Sequence, residues 1–252
     1  MNGHNTLFMC FSLAEREEKM RGSFDRKRDE IESNFERYHS ASYRAETFDG
    51  PELYFHKKCL SASHSGNCYE FSEYLYALLP TWGMHRMGTR GPKVQSFDRV
   101  QQSLRAAWDR AIELRKKAPG QLKESDWSLF SKIFHELDIM KGDSVLVGHS
   151  KVLAHLMPTL VPPVDRSYSL AFLFNSRVVP QTKQAQWEKL RDMLENFYYP
   201  ILEGTEFITK NKLWKEGKPF LWDTSPLKII DNLIIGRAQS QNINGRFLHQ
   251  EG

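Results

Sequence analysis

A lysine, a histidine and an aspartate sit inside the most apolar stretch of the chain, Val145 to Phe174 (VLVGHSKVLAHLMPTLVPPVDRSYSLAFLF). Lys151 and His155 are four apart, so on a helix they share a face. Asp165 follows Pro162-Pro163, and proline disfavours helical backbone in the residue before it, so this part is an extended corner. A lysine in apolar surroundings gives up its proton more readily and can form a Schiff base. An aspartate beside it can activate a nucleophile. Lys151, Asp165 and His155 are therefore the candidate catalytic residues. Each also has a plainer role: Asp165 as a helix cap, Lys151 as a snorkelling side chain, His155 as the partner of a buried carbonyl.

Other chemistries fit this stretch less well. Ser144 to Ser150 is similar to a strand entering a nucleophile elbow, but that turn needs G-x-S-x-G and Val152 stands where the second glycine belongs. His149 and His155 are six apart, off one helical face, with no carboxylate or cysteine at ligand spacing, so no metal site is expected. Gly148-His-Ser-Lys151-Val-Leu-Ala154 followed by Pro163-Val-Asp165 resembles the helix-hairpin-helix DNA glycosylases. In that family a glycine hairpin precedes a lysine used by the bifunctional members, and an aspartate follows after a further helix. The resemblance implies an amine at Lys151 and its acid partner at Asp165. This chain has one glycine in the segment and a shorter gap from lysine to aspartate.

A second stretch, Trp82-Gly-Met-His-Arg-Met-Gly88-Thr-Arg-Gly-Pro-Lys93, carries donors on a glycine-freed backbone. Trp82 could stack on a base, with His85, Arg86, Arg90 and Lys93 as phosphate contacts. It lacks the spacing of a phosphate-cradling P-loop. Residues 51–120 hold eleven Lys and Arg against six Asp and Glu, within a chain of formal net charge +4. A basic middle section of that kind can contact the phosphates of DNA or RNA. It can equally be a helix connection with surface arginines.

Those residues need helices to position them, and the spacing supplies helices. Met20, Phe24, Ile31 and Phe35 form a stripe in an otherwise charged segment. Leu53–Leu60 and the aromatic run Tyr69–Leu79 follow, with Pro80 kinking or shortening the second. Ser96 caps a helix whose stripe runs from Phe97 to Leu114, and Ser125 opens another through Leu137. Gly148 is expected to break the run at Val145–Val147, leaving Ser150 to cap a helix over Lys151–Met157. Further helices are expected over Thr182–Tyr199, stopped by Pro200, over Thr205–Trp214, and from Ser225 to Gly236 with proline at the first helical position. With no convincing alternating strand, the expected fold is all-α: a charged helical segment at 1–45, one multi-helix domain at 46–240, and a frayed tail at 241–252.

Cys10, Cys59 and Cys68 include no C-x-x-C pair, which predicts free thiols and a cytoplasmic setting. The apolar run Leu7–Ala14 is too short for a membrane span and lacks the basic flank of a signal peptide. No cofactor signature is present.

Three motifs together resemble a family of uncharacterised prokaryotic helical proteins: Tyr76-Ala-Leu-Leu-Pro-Thr-Trp-Gly-Met-His-Arg-Met-Gly88, Leu146-Val-Gly-His-Ser-Lys-Val-Leu-Ala-His155 with Pro162-Pro-Val-Asp-Arg166, and Thr224-Ser-Pro-Leu-Lys-Ile-Ile-Asp-Asn-Leu-Ile-Ile-Gly236. That resemblance implies no particular activity. Histidine at 149 departs from the small polar residue expected there. The residues as a whole point to a nucleic-acid-associated helical protein with glycosylase-like Lys/Asp chemistry. The alternative is a non-enzymatic interaction module whose polar core residues are structural.

Overall fold

Charge alternation in the first forty residues leaves one apolar stripe, and that stripe fixes how the segment docks. The computed structural model describes residues 4–43, 50–84, 87–88, 91–217 and 220–248. The first elements are α1 (His4–Ser33) and α2 (Phe35–Tyr43), with Phe24, Ile31, Phe35 and Tyr38 buried in the same core as the rest of the chain. Each such side chain contributes roughly 1.5–3 kcal/mol by leaving water. Met20, expected in the stripe, is exposed instead.

Next come α3 (Pro51–His64) and α4 (Cys68–Leu79), which pack on each other. Pro80 does not end α4 outright. The chain bends through Pro80–Met84, where Trp82 and Gly83 leave helical geometry, and Gly83 takes φ 77°, a left-handed conformation that suits glycine. A two-residue antiparallel pair, Met87–Gly88 with Gly91–Pro92, leads to α5 (Phe97–Leu114) and α6 (Glu124–Glu136). The α5 stripe is buried from Val100 to Leu114, as its spacing requires. Ser96 stands at the N-cap, but its hydroxyl accepts no capping bond. The start of α6 lies one residue before Ser125, where Asp126 accepts from the Lys123 N–H at 3.0 Å.

The central apolar stretch gives α7 (Leu146–Leu156), a π-helical turn at Arg166–Leu170, and α8 (Ala171–Phe174). It is followed by α9 (Lys183–Met193), α10 (Tyr199–Glu203), α11 (Thr205–Gly217) and α12 (Pro226–Leu248). Two expectations are corrected here. The helix expected over Lys151–Met157 begins at Leu146 and runs straight through Gly148, where an added Cβ would lie 2.8 Å from the Met140 side chain. Pro200 does not stop its helix either. A π-helical turn at Leu194–Tyr198 precedes it, and the Asn196 carbonyl, which Pro200 has no N–H to reach, accepts from the Arg28 guanidinium.

The fold is thus all-α, one globular domain with a charged helix at its N-terminal side. No described helix is long and apolar enough to cross a membrane. Cys59 and Cys68 are free thiols. The closest approach is between α2 and α12, where a Cβ on Gly236 would stand 1.8 Å from the Tyr38 carbonyl oxygen and 2.9 Å from Ser42 N. Only glycine permits that contact.

Candidate functional site

A helix buried as fully as α7 needs partners for the free N–H groups of its first turn. They come from a distant residue, not from Ser150. Gln186 of α9 accepts from Val145 N and Leu146 N, both at 2.8 Å, and its own amide donates to the carbonyls of Asp143 and Pro180. Ser150 has a different task. Its hydroxyl donates to the Val147 carbonyl and accepts from Val164 N at 3.1 Å, which ties the extended proline corner to α7. That tie places Asp165 in the same cavity lining as Lys151. Asp165 then caps the next turn, accepting from Ser167 N at 2.7 Å, as its position after the prolines predicts.

Between these elements and α12 lies a cavity of about 290 Å³. Trp82 and Trp222 form aromatic walls, and Lys151, Lys228, Asp165, Asp231 and Tyr168 supply the polar lining. Each lysine sits over an indole, Lys151 Nζ at 5.4 Å from the Trp82 centroid and Lys228 Nζ at 5.6 Å from that of Trp222. Lys151 is 6% exposed and donates to the Trp82 carbonyl at 2.9 Å, a carbonyl turned towards it by the Gly83 bend. It forms no ion pair among the described residues. Lys228 pairs with Asp231 at 2.7 Å and donates also to Asn232 Oδ1, and Asn232 passes the network on to Asp223.

Burial governs the electrostatics of the cavity. Desolvation holds the Lys151 pKa below its ordinary value, although Asp165 and Asp231 both pull the other way. Desolvation also pushes Asp231 up, against the pull of Lys228. The Tyr168 phenol is raised by burial and by the two aspartates, so at neutral pH it is a hydrogen-bond donor. Two lysines face two aspartates, with Glu52 also in the lining, so the cavity has no positive surplus for a phosphate.

His155 takes no part in the lining, and its candidate catalytic role is not supported by its position. Both ring nitrogens are engaged behind the tryptophans. Nδ1 lies 2.7 Å from the Lys151 carbonyl, and Nε2 lies 2.7 Å from His56 Nδ1. The carbonyl can only accept, so His155 carries its proton on Nδ1 and accepts on Nε2. His56 must then donate from Nδ1, and its Nε2 accepts from the Thr224 hydroxyl at 2.8 Å. The direction of the whole chain is fixed, with two neutral imidazoles. Burial brings His155 down to about 4, helped by Lys228 and Lys151, and His56 also falls well below its usual value. The rings of His56, Trp82 and Trp222 are mutually adjacent, with centroids 5.0 to 6.3 Å apart.

Of the expected nucleic-acid contacts, Trp82 is in the cavity wall. His85, Arg86 and Arg90 lie outside the described residues. Lys93 is exposed, and its carbonyl accepts from Lys141 N at 2.8 Å. His149 is fully buried on the far side of α7, where Nδ1 bonds the Phe134 carbonyl and the ring meets Phe134 edge-on. Sequence reasoning missed His56, Tyr168, Trp222, Lys228 and Asp231. Lys228 and Asp231 did leave a signal: two opposite charges three apart inside the apolar run Leu227–Ile235 mark a buried pair.

No protein-family model matches the chain, and comparison with curated proteins and with solved structures yields no match. Functional inference therefore rests on the cavity itself.

Proposed function

We propose that the cavity receives an uncharged, flat nitrogen ring, a nucleobase presented by DNA or RNA, and that Lys151 and Asp165 are the amine and carboxylate of a glycosylase-like site. One observation carries this reading: Lys151 is a buried amine that opens on a cavity and, among the described residues, has no carboxylate in ion-pair contact. Three features support the ligand class. The volume of about 290 Å³ is at the small end of the range for ligand pockets, suited to one ring system. Two tryptophans offer stacking faces. The near-balance of charge favours a neutral ring carrying donors and acceptors over a phosphate. A base would reach such a cavity by leaving the stack. Lys151 nitrogen would bond to the sugar carbon as the glycosidic bond breaks, the electron pair leaving with the base, while Asp165 stabilises the developing cation.

A second reading, a non-enzymatic interaction module, is favoured by the bonds from Asp165 to Ser167 N and from Lys151 to the Trp82 carbonyl. One experiment separates them. Labelled single- and double-stranded DNA and RNA are titrated across a salt series with wild type, Trp82→Ala and Lys151→Ala, followed by borohydride trapping on abasic and base-damaged strands. The glycosylase-like reading expects salt-sensitive binding, weakened by Trp82→Ala, and a trapped adduct lost in Lys151→Ala. Absence of binding at low salt would overturn it in favour of the module.

A further inference from the structure

Three cations meet at a separate cavity of about 300 Å³ where the middle of α1, the start of α8 and α12 come together. Arg26 and Lys27 come from α1 and Arg237 from α12, with Ser23, Asn175 and Glu30 beside them. Glu30 is the one carboxylate in the lining, and it is already engaged: its Oε1 accepts from the Arg237 guanidinium (2.5 Å) and from the Tyr38 hydroxyl (3.0 Å). Two positive charges are left over.

Two of the three cations, Arg237 and Lys27, are held in place. Arg237 lies 4.6 Å from the centroid of Phe172 and donates to Gln241 Oε1 at 3.2 Å. Lys27 donates to Ser23 Oγ and to the Leu173 carbonyl, each at 2.9 Å, which leaves one N–H of the ammonium unused. The Leu173 bond closes the last turn of α8, and on its own it would be a sufficient reason for a lysine here. It does not account for Arg26, which is exposed, lines the same cavity, and makes no hydrogen bond or ion pair among the described residues. Burial, then Arg26 and Arg237, push the Lys27 pKa down, as expected of like charges crowded together.

The unused groups around the cavity are donors: the Arg26 guanidinium, the third ammonium proton of Lys27, the Ser23 hydroxyl and the Asn175 amide. Such a set matches an acceptor-only ligand carrying negative charge. We propose that this cavity is a binding site for a phosphate-type oxyanion, whose occupant fastens α1 to the junction of α8 and α12. The ligand can arrive as free phosphate or as the phosphomonoester of a nucleotide, the oxyanion chemistry being the same.

The test is calorimetric titration of the full chain with inorganic phosphate at low ionic strength, with chloride as the control anion and a nucleoside monophosphate as competitor. Wild type is expected to bind phosphate saturably, and Arg26→Gln to bind about tenfold more weakly, the order expected for one charge-assisted contact. Arg26 has no partner among the described residues, so this variant removes charge without breaking any bond they make. Lys27→Met is expected to lose binding further, and Lys151→Ala to leave it unchanged, which keeps this site distinct from the tryptophan cavity. Competition by the monophosphate would identify a phosphomonoester site, and its absence a site for free phosphate. The proposal is overturned if neither ligand binds saturably, if chloride gives the same response, or if Arg26→Gln and Lys27→Met both bind as wild type does.

Discussion

The tryptophan cavity has two halves that look alike and differ in one respect. Each presents a buried lysine over an indole. In the α12 half, Lys228 is paired with Asp231, donates also to Asn232, and is tied through Asn232 to Asp223. In the α7 half, Lys151 has a single backbone acceptor and no ion pair among the described residues. A buried charge with its own counter-charge is part of the scaffold. One without waits for something, or persists at a cost the scaffold bears. Burial alone therefore does not separate structural from functional polar residues, whereas completeness of pairing does.

The largest effect is expected at Lys228. Lys228→Met leaves Asp231 buried without its partner, and a loss of roughly 3–5 kcal/mol in urea unfolding is expected. The double variant Lys228→Met/Asp231→Leu should recover most of that loss. A single variant as stable as wild type would show that the pair does not organise the α12 half.

Acidification acts on the histidines behind both halves. His155 titrates at about 4 in the folded chain against 6.5 unfolded. Above pH 6.5 both states are neutral and the group contributes nothing to the pH dependence. As pH falls towards 4 the unfolded chain takes up the proton first, and stability drops by roughly 3 kcal/mol from this residue. His149, brought down to about 3 chiefly by burial, extends the decline. Circular dichroism melts from pH 8 to pH 4 would trace it. In Lys228→Met the decline from this residue should be smaller and end at a higher pH, because Lys228 is one of the charges that hold His155 down.

The smallest effect is expected at Lys151. Lys151→Met keeps the volume and removes an unpaired buried charge, so the unfolding midpoint should stay within about 1 kcal/mol of wild type or rise. Borohydride trapping should nonetheless vanish. Large destabilisation by this substitution would place Lys151 with Lys228 among the scaffold residues.

Much of the frame was legible in the sequence because it rests on local periodicity. The α5 stripe, the Asp165 cap and the Ser225 cap, where Lys228 N donates to Ser225 Oγ at 3.1 Å, all follow from spacing of a few residues. The corrections have non-local causes. Gly148 stays helical because Met140 packs where its side chain would be, and α7 starts early because Gln186 from another helix supplies the cap. Half of the cavity was legible: Lys151, Asp165 and Trp82 stood out by type and setting. Trp222, Lys228 and Asp231 enter from about 60 residues or more further on, and no spacing rule brings α12 to α7. The placement of His155 outside the lining was not legible, because a shared helical face with Lys151 says nothing about which neighbour, here His56 on α3, that face meets.

The glycine contact between α2 and α12 also bears on how the protein emerges from the ribosome. Tyr38 is made roughly 200 residues before Gly236, the residue whose bare backbone it rests on. At ~5–20 residues per second the interval is on the order of ten to forty seconds. Throughout it the apolar stripe of Phe24, Ile31 and Phe35 has no completed seat. α1 and α2 therefore finish docking long after they are made, and between those two moments the nascent chain carries an uncovered apolar face.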